Sequence, residues 1–202
     1  MNPLAPDTVA WAAQLACVLE VSADKPGNVT LTTAFSDMTF LDLMASALAI
    51  GPALREAPES GVGRTILRAV DDTRRFVTAN TNLGLVLLLT PLVKAACSGH
   101  PEGLRCAVQD VLENLTNEDA RQAFEAIRQA SPGGLGRSQT MDVRDPEVEG
   151  TLLEAMVEAQ ERDAVAREYA TGFQITFEIG YPCLSAVWRA GHPLSEEIGR
   201  AS

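Results

Sequence analysis

Two short segments rich in Asn and Gly carry residue types suited to binding a polyanion. In the first, Lys25-Pro26-Gly27-Asn28, the lysine follows Glu20 by five residues. Gly and Asn tolerate the left-handed backbone that directs successive N–H groups at an anion, and Lys adds a compact cation. A Pro-Gly-Asn sequence is also an ordinary turn. An anion site and a turn without function are therefore both open interpretations of this segment.

The second segment, Asn80-Thr81-Asn82-Leu83-Gly84, leads directly into a strongly apolar stretch. Asn and Thr are favoured as helix caps, so a plain cap is one interpretation. One cap needs only one side chain, however, and three polar side chains stand here. The N-terminus of a helix carries a positive partial charge that suits phosphate. Capping and phosphate binding both remain open for this segment.

A third glycine-containing segment, Ser60-Gly61-Val62-Gly63, is less informative. It is not a dinucleotide-binding fingerprint, because no strand precedes it and the third glycine is missing. A flexible entry to a helix can still receive phosphate, but an ordinary helix start is the favoured interpretation.

Neither histidine is placed for catalysis. His100 and His192 both lie in Gly-His-Pro turns, where a surface position is the favoured interpretation. This argues against a Ser-His-Asp or Cys-His catalytic group and against a His-rich zinc site. Acid–base and metal chemistry must then depend on carboxylates.

Several carboxylates lie near predicted helix ends or between helices. Helical bundles bind divalent metals through carboxylates that converge from several helices. The sequence does not show which of them converge, and a solvated surface position is the alternative for each. Besides Glu20, the candidates are Asp37, Asp42, Asp71, Asp72, Asp142 and Asp163.

Composition limits the class of partner. The chain has 202 residues and a formal net charge of -11, which repels nucleic acid and anionic lipid, so we expect neither as a partner. A polyphosphate ligand must therefore be bound locally, by backbone N–H groups, a few cations and a metal ion. The longest apolar run, Leu83 to Val93, is shorter than the roughly 20 residues that cross a bilayer. Met1 to Glu20 lacks a signal peptide pattern, and we expect a cytoplasmic protein.

The elements that must position these residues are all predicted to be helices. Scarce aromatics and apolar residues at helical spacing favour helices, and no convincing alternating strand is present. We predict one domain over residues 1–202, a multi-helix bundle with the strongly apolar helix from Leu83 at its centre. A second helix would be capped by Ser36 or Asp37 and would end near Gly51-Pro52, or kink there and finish by Pro58. The other predicted helices are Thr8–Val21, Val62–Val77, Glu102–Leu115, Asn117–Ala130, Val148–Glu161 (in a region opened by Asp145-Pro146), Asp163–Ile179 and Pro182–Arg189.

The order of these segments resembles the triphosphoribosyl-dephospho-CoA synthases, in their short form. The resemblance spans roughly residues 16 to 180, and it depends on ordered co-occurrence because no single motif is specific. The segments that carry it are Glu20 with Lys25-Pro26-Gly27-Asn28-Val29, Asp37-Met38, Phe40, Ser46, Gly61 with Gly63, Asn80-Thr81-Asn82-Leu83-Gly84, Leu87-Leu88-Leu89-Thr90-Pro91-Leu92, Pro132-Gly133-Gly134-Leu135-Gly136, Arg162-Asp163 and Glu168-Tyr169.

The resemblance implies a transferase that moves the triphosphoribosyl group of ATP to 3′-dephospho-CoA, or to a related acceptor hydroxyl, and releases adenine. It implies ATP as substrate, Mg²⁺ as cofactor and a role in prosthetic group biosynthesis. Glu20 and Asp37 would be catalytic, and both, with Asp72, would bind the metal. The nucleotide-binding residues would be Lys25, Gly27, Asn28, Ser46, Gly63, Asn80, Thr81, Asn82 and Gly84.

Two other functions are weighed against this one. An all-α, Mg²⁺-dependent nucleoside triphosphate pyrophosphohydrolase would need pairs of carboxylates at i,i+3 spacing, and these are not found in the expected arrangement. A helical protein that binds a nucleotide without turnover is the non-enzymatic alternative. A homodimer is also considered.

Overall fold

The computed structural model describes residues 2–23, 29–30, 33–35, 38–132, 141–144 and 148–191. Every regular element within these ranges is helical, so the all-α prediction is confirmed. In chain order the elements are α1 (Pro6–Ser22), α2 (Phe40–Ala49), α3 (Gly51–Glu56), a 3₁₀ turn (Ala57–Glu59), α4 (Val62–Arg74), α5 (Leu83–Ser98), α6 (Leu104–Glu113), α7 (Asn117–Ala130), α8 (Leu152–Ala159), α9 (Ala164–Ala170), a π-helical turn (Thr176–Gly180) and α10 (Tyr181–Arg189).

One hydrophobic core runs from α1 to Phe173, and Ala, Val, Leu and Ile supply most of it. Helices α4 and α7 pack against each other, while α5 contacts α1, α4, α6, α9 and the 3₁₀ turn. Each residue of α5 is buried or half-buried except Ser98 at its end. This burial follows from a sequence that is apolar on nearly every side of the helix. No described helix is both long and apolar enough to cross a bilayer.

A proline inside α5 is compensated by a tyrosine from α9. Pro91 has no N–H, so it cannot donate to the carbonyl of Leu87 one turn earlier. The hydroxyl of Tyr169 donates to that carbonyl at 2.6 Å instead, and Tyr169 is only 1% exposed. Burial raises the pKa of Tyr169 well above its usual range, with a smaller contribution from Asp119. Tyr169 thus remains a neutral donor that joins α9 to α5.

The start of α2 differs from the prediction that Ser36 or Asp37 caps it. The cap is Thr39, whose hydroxyl accepts from the Asp42 N–H at 3.3 Å while the Asp42 carboxylate accepts from the Thr39 N–H at 2.8 Å. The Thr39 hydroxyl, which also donates to the Asp42 carboxylate at 2.7 Å, and then the Thr39 N–H hold the pKa of Asp42 below its usual value. The capping prediction was wrong because this reciprocal pair satisfies the first N–H groups. The predicted kink at Gly51-Pro52 is confirmed, since α3 begins there.

Two later helices also differ from their predicted extents. Helix α8 begins at Leu152 rather than Val148, because Thr151 and Glu154 form a capping box; Asp145-Pro146 lies outside the described residues. The predicted Asp163–Ile179 helix is interrupted after Ala170 by positive φ angles at Gly172 (63°) and Phe173 (59°). Helices α4 and α6 are also shorter than predicted: α4 ends at Arg74 rather than Val77, and α6 ends at Glu113 rather than Leu115.

Candidate active site

A cavity of about 360 Å³ lies where the end of α1, the chain before α2 and the N-terminus of α5 meet. We call it the first cavity. It brings Glu20 together with the segment from Asn80 to Gly84, as the sequence hypothesis requires. Lys25, Gly27, Asn28 and Asp37 lie outside the described residues. Its described lining consists of Glu20, Val21, Val29, Phe35, Met38, Leu43, Asn80, Thr81, Asn82, Leu83, Gly84 and Leu85.

The N-terminus of α5 presents backbone donors to this cavity. The first bond of the helix runs from the Val86 N–H to the Asn82 carbonyl at 2.9 Å. The Leu83 N–H donates to Oδ1 of Asn80 at 3.3 Å. Within the described part of the chain, the N–H groups of Gly84 and Leu85 have no protein acceptor. Both residues line the cavity, so two N–H donors at the positive end of the helix belong to its lining residues.

Two other helix N-termini in the described ranges, those of α4 and α9, have a carboxylate that accepts from a backbone N–H. Asp119 accepts from the Gly63 N–H at the start of α4 at 2.8 Å, and Asp163 accepts from the Ala166 N–H in α9 at 2.8 Å. The described residues that precede α5 are neutral: Asn80, Thr81 and Asn82. No carboxylate from this segment competes with an anion for the partial positive charge of α5.

Gly63 has a packing role, away from the first cavity. Its N–H is already bonded to Asp119, and a Cβ there would collide with the Asp119 backbone. Thr73, ten residues later in α4, is the residue that contacts Asn82, which places Gly63 about 15 Å further along the helix. The structure therefore does not bring Gly63 to the nucleotide-binding group in which the sequence hypothesis placed it.

A buried network fixes the position of Asn82. Its Nδ2 donates to the Ser46 carbonyl of α2 at 3.2 Å and to Oγ1 of Thr73 in α4 at 3.1 Å. Asn82 is 7% exposed and Thr73 is 4% exposed. Because both donors of the amide are used, Asn82 joins the start of α5 to α2 and α4, in addition to bordering the cavity.

Ser46 lies behind the cavity wall. Its hydroxyl donates to the Asp42 carbonyl at 2.7 Å, so it must accept the hydrogen bond from the Thr81 hydroxyl. Ser46 is 1% exposed. The sequence hypothesis placed Ser46 among the nucleotide-binding residues, and the structure places its side chain behind the wall, in contact with Thr81.

Glu20 is the carboxylate in the described lining, and it is half-buried. Its charge also reaches Cys17, one turn earlier in α1. Burial, followed by the Glu20 charge and offset in part by a backbone hydrogen bond, raises the pKa of the Cys17 thiol to about 11. The Glu20 carboxylate thus produces a negative potential at the end of α1, beside the first cavity.

Asp72 is held elsewhere. Its carboxylate is 3.1 Å from Nη1 of Arg75 and 3.7 Å from Nε of Arg68, and the residue is 7% exposed. Asp72 is absent from the described lining of the first cavity. Among described residues, no group of three or more His, Cys, Asp or Glu side chains is arranged to hold a metal ion. The structure does not bring Asp72 to Glu20 as the predicted metal set required.

A second cavity, of about 430 Å³, adjoins the first. It lies among α5, α7, α8 and α9, and it shares Asn80, Leu83 and Gly84 with the first cavity. Sequence reasoning did not predict it, because its walls meet only through tertiary packing. The sequence contained one indication of this cavity, the Arg162-Asp163 pair that the chain shares with the triphosphoribosyl-dephospho-CoA synthases. The remaining lining is Leu87, Phe124, Ile127, Pro132, Met141, Asp142, Val143, Arg144, Ala155, Met156, Ala159, Arg162, Asp163, Val165 and Ala166.

Comparison with known protein families decides among the functions considered. The family model for CitG, ATP:dephospho-CoA triphosphoribosyl transferase, matches residues 6–201. The chain belongs to this family. The CitG family consists of enzymes that transfer a triphosphoribosyl group from ATP to dephospho-CoA, so the transferase prediction is confirmed over the pyrophosphohydrolase and non-catalytic alternatives. No curated protein and no solved structure matches the chain.

Membership in the CitG family sets a geometric requirement. Both substrates named in the family description are nucleotides, and a group passes from one to the other. Direct displacement requires the attacking oxygen about 3–3.5 Å from the carbon it attacks. The enzyme therefore needs two nucleotide sites that meet at one point.

Proposed function

We propose that the first cavity is the ATP site of this CitG-family transferase, with the triphosphate at the N-terminus of α5. The observation that carries the proposal is the pair of N–H groups of Gly84 and Leu85, which border a cavity that also contains Glu20. Backbone donors at a helix N-terminus bind phosphate without a large positive field. That property suits a chain with a net charge of -11.

The reaction is a displacement at C1′ of the ATP ribose. The acceptor hydroxyl oxygen forms a bond to C1′ as the bond from C1′ to N9 of adenine breaks. The electron pair of that bond leaves with adenine, which takes up a proton, and the hydroxyl proton passes to a base. Positive charge develops on the ribose in the transition state, and a nearby carboxylate stabilises it. We assign that role to Glu20.

The residues outside the described ranges complete the proposed site. Lys25, Gly27 and Asn28 would contribute a cation and turn N–H groups to the phosphates. We include them because Val29, which follows them in the sequence, lines the first cavity. Asp37 is included for the same reason, since Met38 also lines this cavity. Asn80 and Thr81 offer polar side chains to the ribose or phosphates, while Asn82 and Ser46 hold the wall.

The donor set fits Mg²⁺ bound with the substrate. Mg²⁺ in nucleotide sites is usually held by one or two carboxylates together with substrate phosphates and water. Glu20 would supply one such oxygen ligand, and Asp37 would supply the second. When bound there, Mg²⁺ would neutralise triphosphate charge. Asp72 is not included, because two arginines already pair with it.

Adenine release from Mg-ATP, measured by chromatography with and without 3′-dephospho-CoA, tests the proposal. We expect Glu20→Gln and Asp37→Asn each to reduce turnover at least about a hundredfold, as is common when acid–base or charge-stabilising groups are removed. Glu113→Gln is the matched control, since Glu113 lies exposed on α6 and accepts from Gln109. Full activity in both Glu20→Gln and Asp37→Asn would refute the assignment of these carboxylates.

We also propose that the protein forms a homodimer through α10. Tyr181, Leu184 and Trp188 are spaced to share one side of this helix, and Tyr181 and Trp188 are 65% and 64% exposed. An isolated helix of nine residues is marginal in water, and a contiguous apolar patch commonly marks an interface. Light scattering should give twice the chain mass, and Trp188→Asp should reduce it to one chain. A monomeric wild-type protein would contradict this proposal.

A further inference from the structure

The wall between the two cavities is built from Asn80, Leu83 and Gly84, which line both of them. All three stand at the N-terminus of α5, where the first cavity is proposed to bind the ATP triphosphate. A molecule in the second cavity would therefore lie directly across this wall from ATP.

Gly84 is the one member of the wall without a side chain, and the fold does not explain it. Its φ is not among the positive values, so the backbone does not require glycine. A Cβ added there would meet only Cγ2 of Val165, at 3.7 Å, which is an ordinary contact. Glycine is less favourable than alanine in a helix. A glycine that neither conformation nor packing requires indicates that space is needed at the wall itself.

The lining of the second cavity suits a nucleotide that carries a diphosphate. Leu87, Phe124, Ile127 and Met156 provide a buried apolar surface. Arg162 adds an exposed cation, whose Nη1 is 3.5 Å from the Glu158 carbonyl, at the limit of a hydrogen bond. Arginine binds phosphate oxygens with two parallel donors.

Two carboxylates also line this cavity, and the protein's own donors engage both. Asp163 accepts from the Ala166 N–H at 2.8 Å, and Asp142 accepts from the Arg144 N–H at 2.9 Å. The Arg144 guanidinium is also 3.4 Å from the Asp142 carboxylate. Both carboxylates therefore accept from protein donors in α9 and Arg144. Of the two arginines in the described lining, Arg144 pairs with a carboxylate, whereas Arg162 contacts only a backbone carbonyl.

We propose that the second cavity binds dephospho-CoA, with Arg162 at its diphosphate, and that the acceptor hydroxyl reaches C1′ of ATP past Gly84. This inference rests on the proposed ATP site. It places the two nucleotides on opposite sides of one short wall, and the missing side chain at Gly84 leaves room for the reacting oxygen and carbon to meet.

Arg162→Ala tests the diphosphate contact, with Arg167→Ala as the matched control. Arg167 is an exposed arginine of α9 outside the described lining, bonded through Nε to the Gln160 carbonyl. We expect Arg162→Ala to raise the KM for dephospho-CoA at least about tenfold, because one charge-assisted contact is lost. The KM for ATP should change less than about twofold. Calorimetric titration with dephospho-CoA alone should show the same loss of affinity.

Gly84→Ala tests the passage, and Gly180→Ala is its control. A Cβ at Gly180 would meet only the Ile175 carbonyl, at 3.7 Å, and Gly180 lines neither cavity. Gly84→Ala retains the backbone N–H, so ATP affinity and the thermal midpoint should be kept. We expect kcat to fall at least about tenfold, while Gly180→Ala retains wild-type kcat.

The outcomes separate this inference from the proposed function. If the wild type releases adenine but Arg162→Ala and Gly84→Ala behave like their controls, the acceptor site is refuted and the ATP site stands. If dephospho-CoA does not bind the wild type, or binds Arg162→Ala as tightly, the acceptor site is also refuted. If binding falls in Arg162→Ala but the wild type releases no adenine, the proposed reaction fails and the assignment of the second cavity is supported.

Discussion

Tyr169→Phe should destabilise the protein, and the effect should depend on Pro91. The substitution removes only the hydroxyl that donates to the Leu87 carbonyl at 2.6 Å, in a residue that is 1% exposed. The carbonyl would then be buried without a donor, because Pro91 has no N–H to offer. Leaving a buried acceptor unsatisfied costs about 1–3 kcal/mol. We expect a loss of about 2 kcal/mol in the free energy of unfolding.

The double variant Pro91→Ala/Tyr169→Phe tests the cause. Alanine at position 91 restores an N–H that can donate to the Leu87 carbonyl, so Tyr169→Phe should cost less than about 1 kcal/mol in that background. Urea unfolding of the four members of this cycle gives the coupling energy, which we expect to be about 1 kcal/mol or more. An equal cost of Tyr169→Phe in both backgrounds would refute the compensation between Pro91 and Tyr169.

Three further predictions concern the site and its surroundings. Asn82→Ala should lower the free energy of unfolding by about 2–3 kcal/mol, because it removes two buried hydrogen bonds; urea unfolding measures this, and a change below about 0.5 kcal/mol would contradict it. Burial, followed by the Glu20 charge, raises the pKa of Cys17 from 9.0 to about 11, so its contribution to stability should be lost as pH rises from about 9 to 11. The free energy of unfolding, measured by chemical denaturation, should fall less steeply with pH in Cys17→Ala than in the wild type. An unchanged slope would show that the thiol does not contribute to this pH dependence. Since the net charge of -11 repels free ATP, its association rate should increase as salt rises from about 0.01 to 0.15 M; stopped-flow binding measures this, and a decrease would contradict it.

Helix content could be predicted from the sequence because the strongest signals are local. Thr116 and Asp119 form a capping box at the start of α7, which begins at Asn117 as predicted, and the apolar stretch from Leu83 becomes α5 as expected. The errors lie where a long-range or reciprocal contact overrides a local signal. Glu168 accepts from the N–H groups of Ile175 and Thr176 and so stabilises the break after α9, which periodicity alone does not reveal.

The candidate site was partly predictable for a similar reason. Residues that follow one another, such as Asn80 to Gly84, could be assigned together from sequence. The sequence could not show that Ser46 is buried behind Thr81, since this contact joins residues that are 35 positions apart in the chain. The pairing of Asp72 with Arg68 and Arg75 is local, at i,i+4 and i,i+3 spacing, and the sequence contained that signal. The second cavity is formed by the packing of four helices, and the Arg162-Asp163 pair alone did not predict it.

The N-terminus of α5 brings these results together. In an acidic protein, carboxylates cap α4 and α9, where only the backbone requires compensation. At α5 the neutral amide of Asn80 accepts from the Leu83 N–H, and in the proposed site the substrate would provide the charge that balances the helix. The same turn contains a glycine that the fold does not require. Neutral caps and a missing side chain each reduce what this helix start contributes to stability, and both become understandable if two nucleotides must approach each other there.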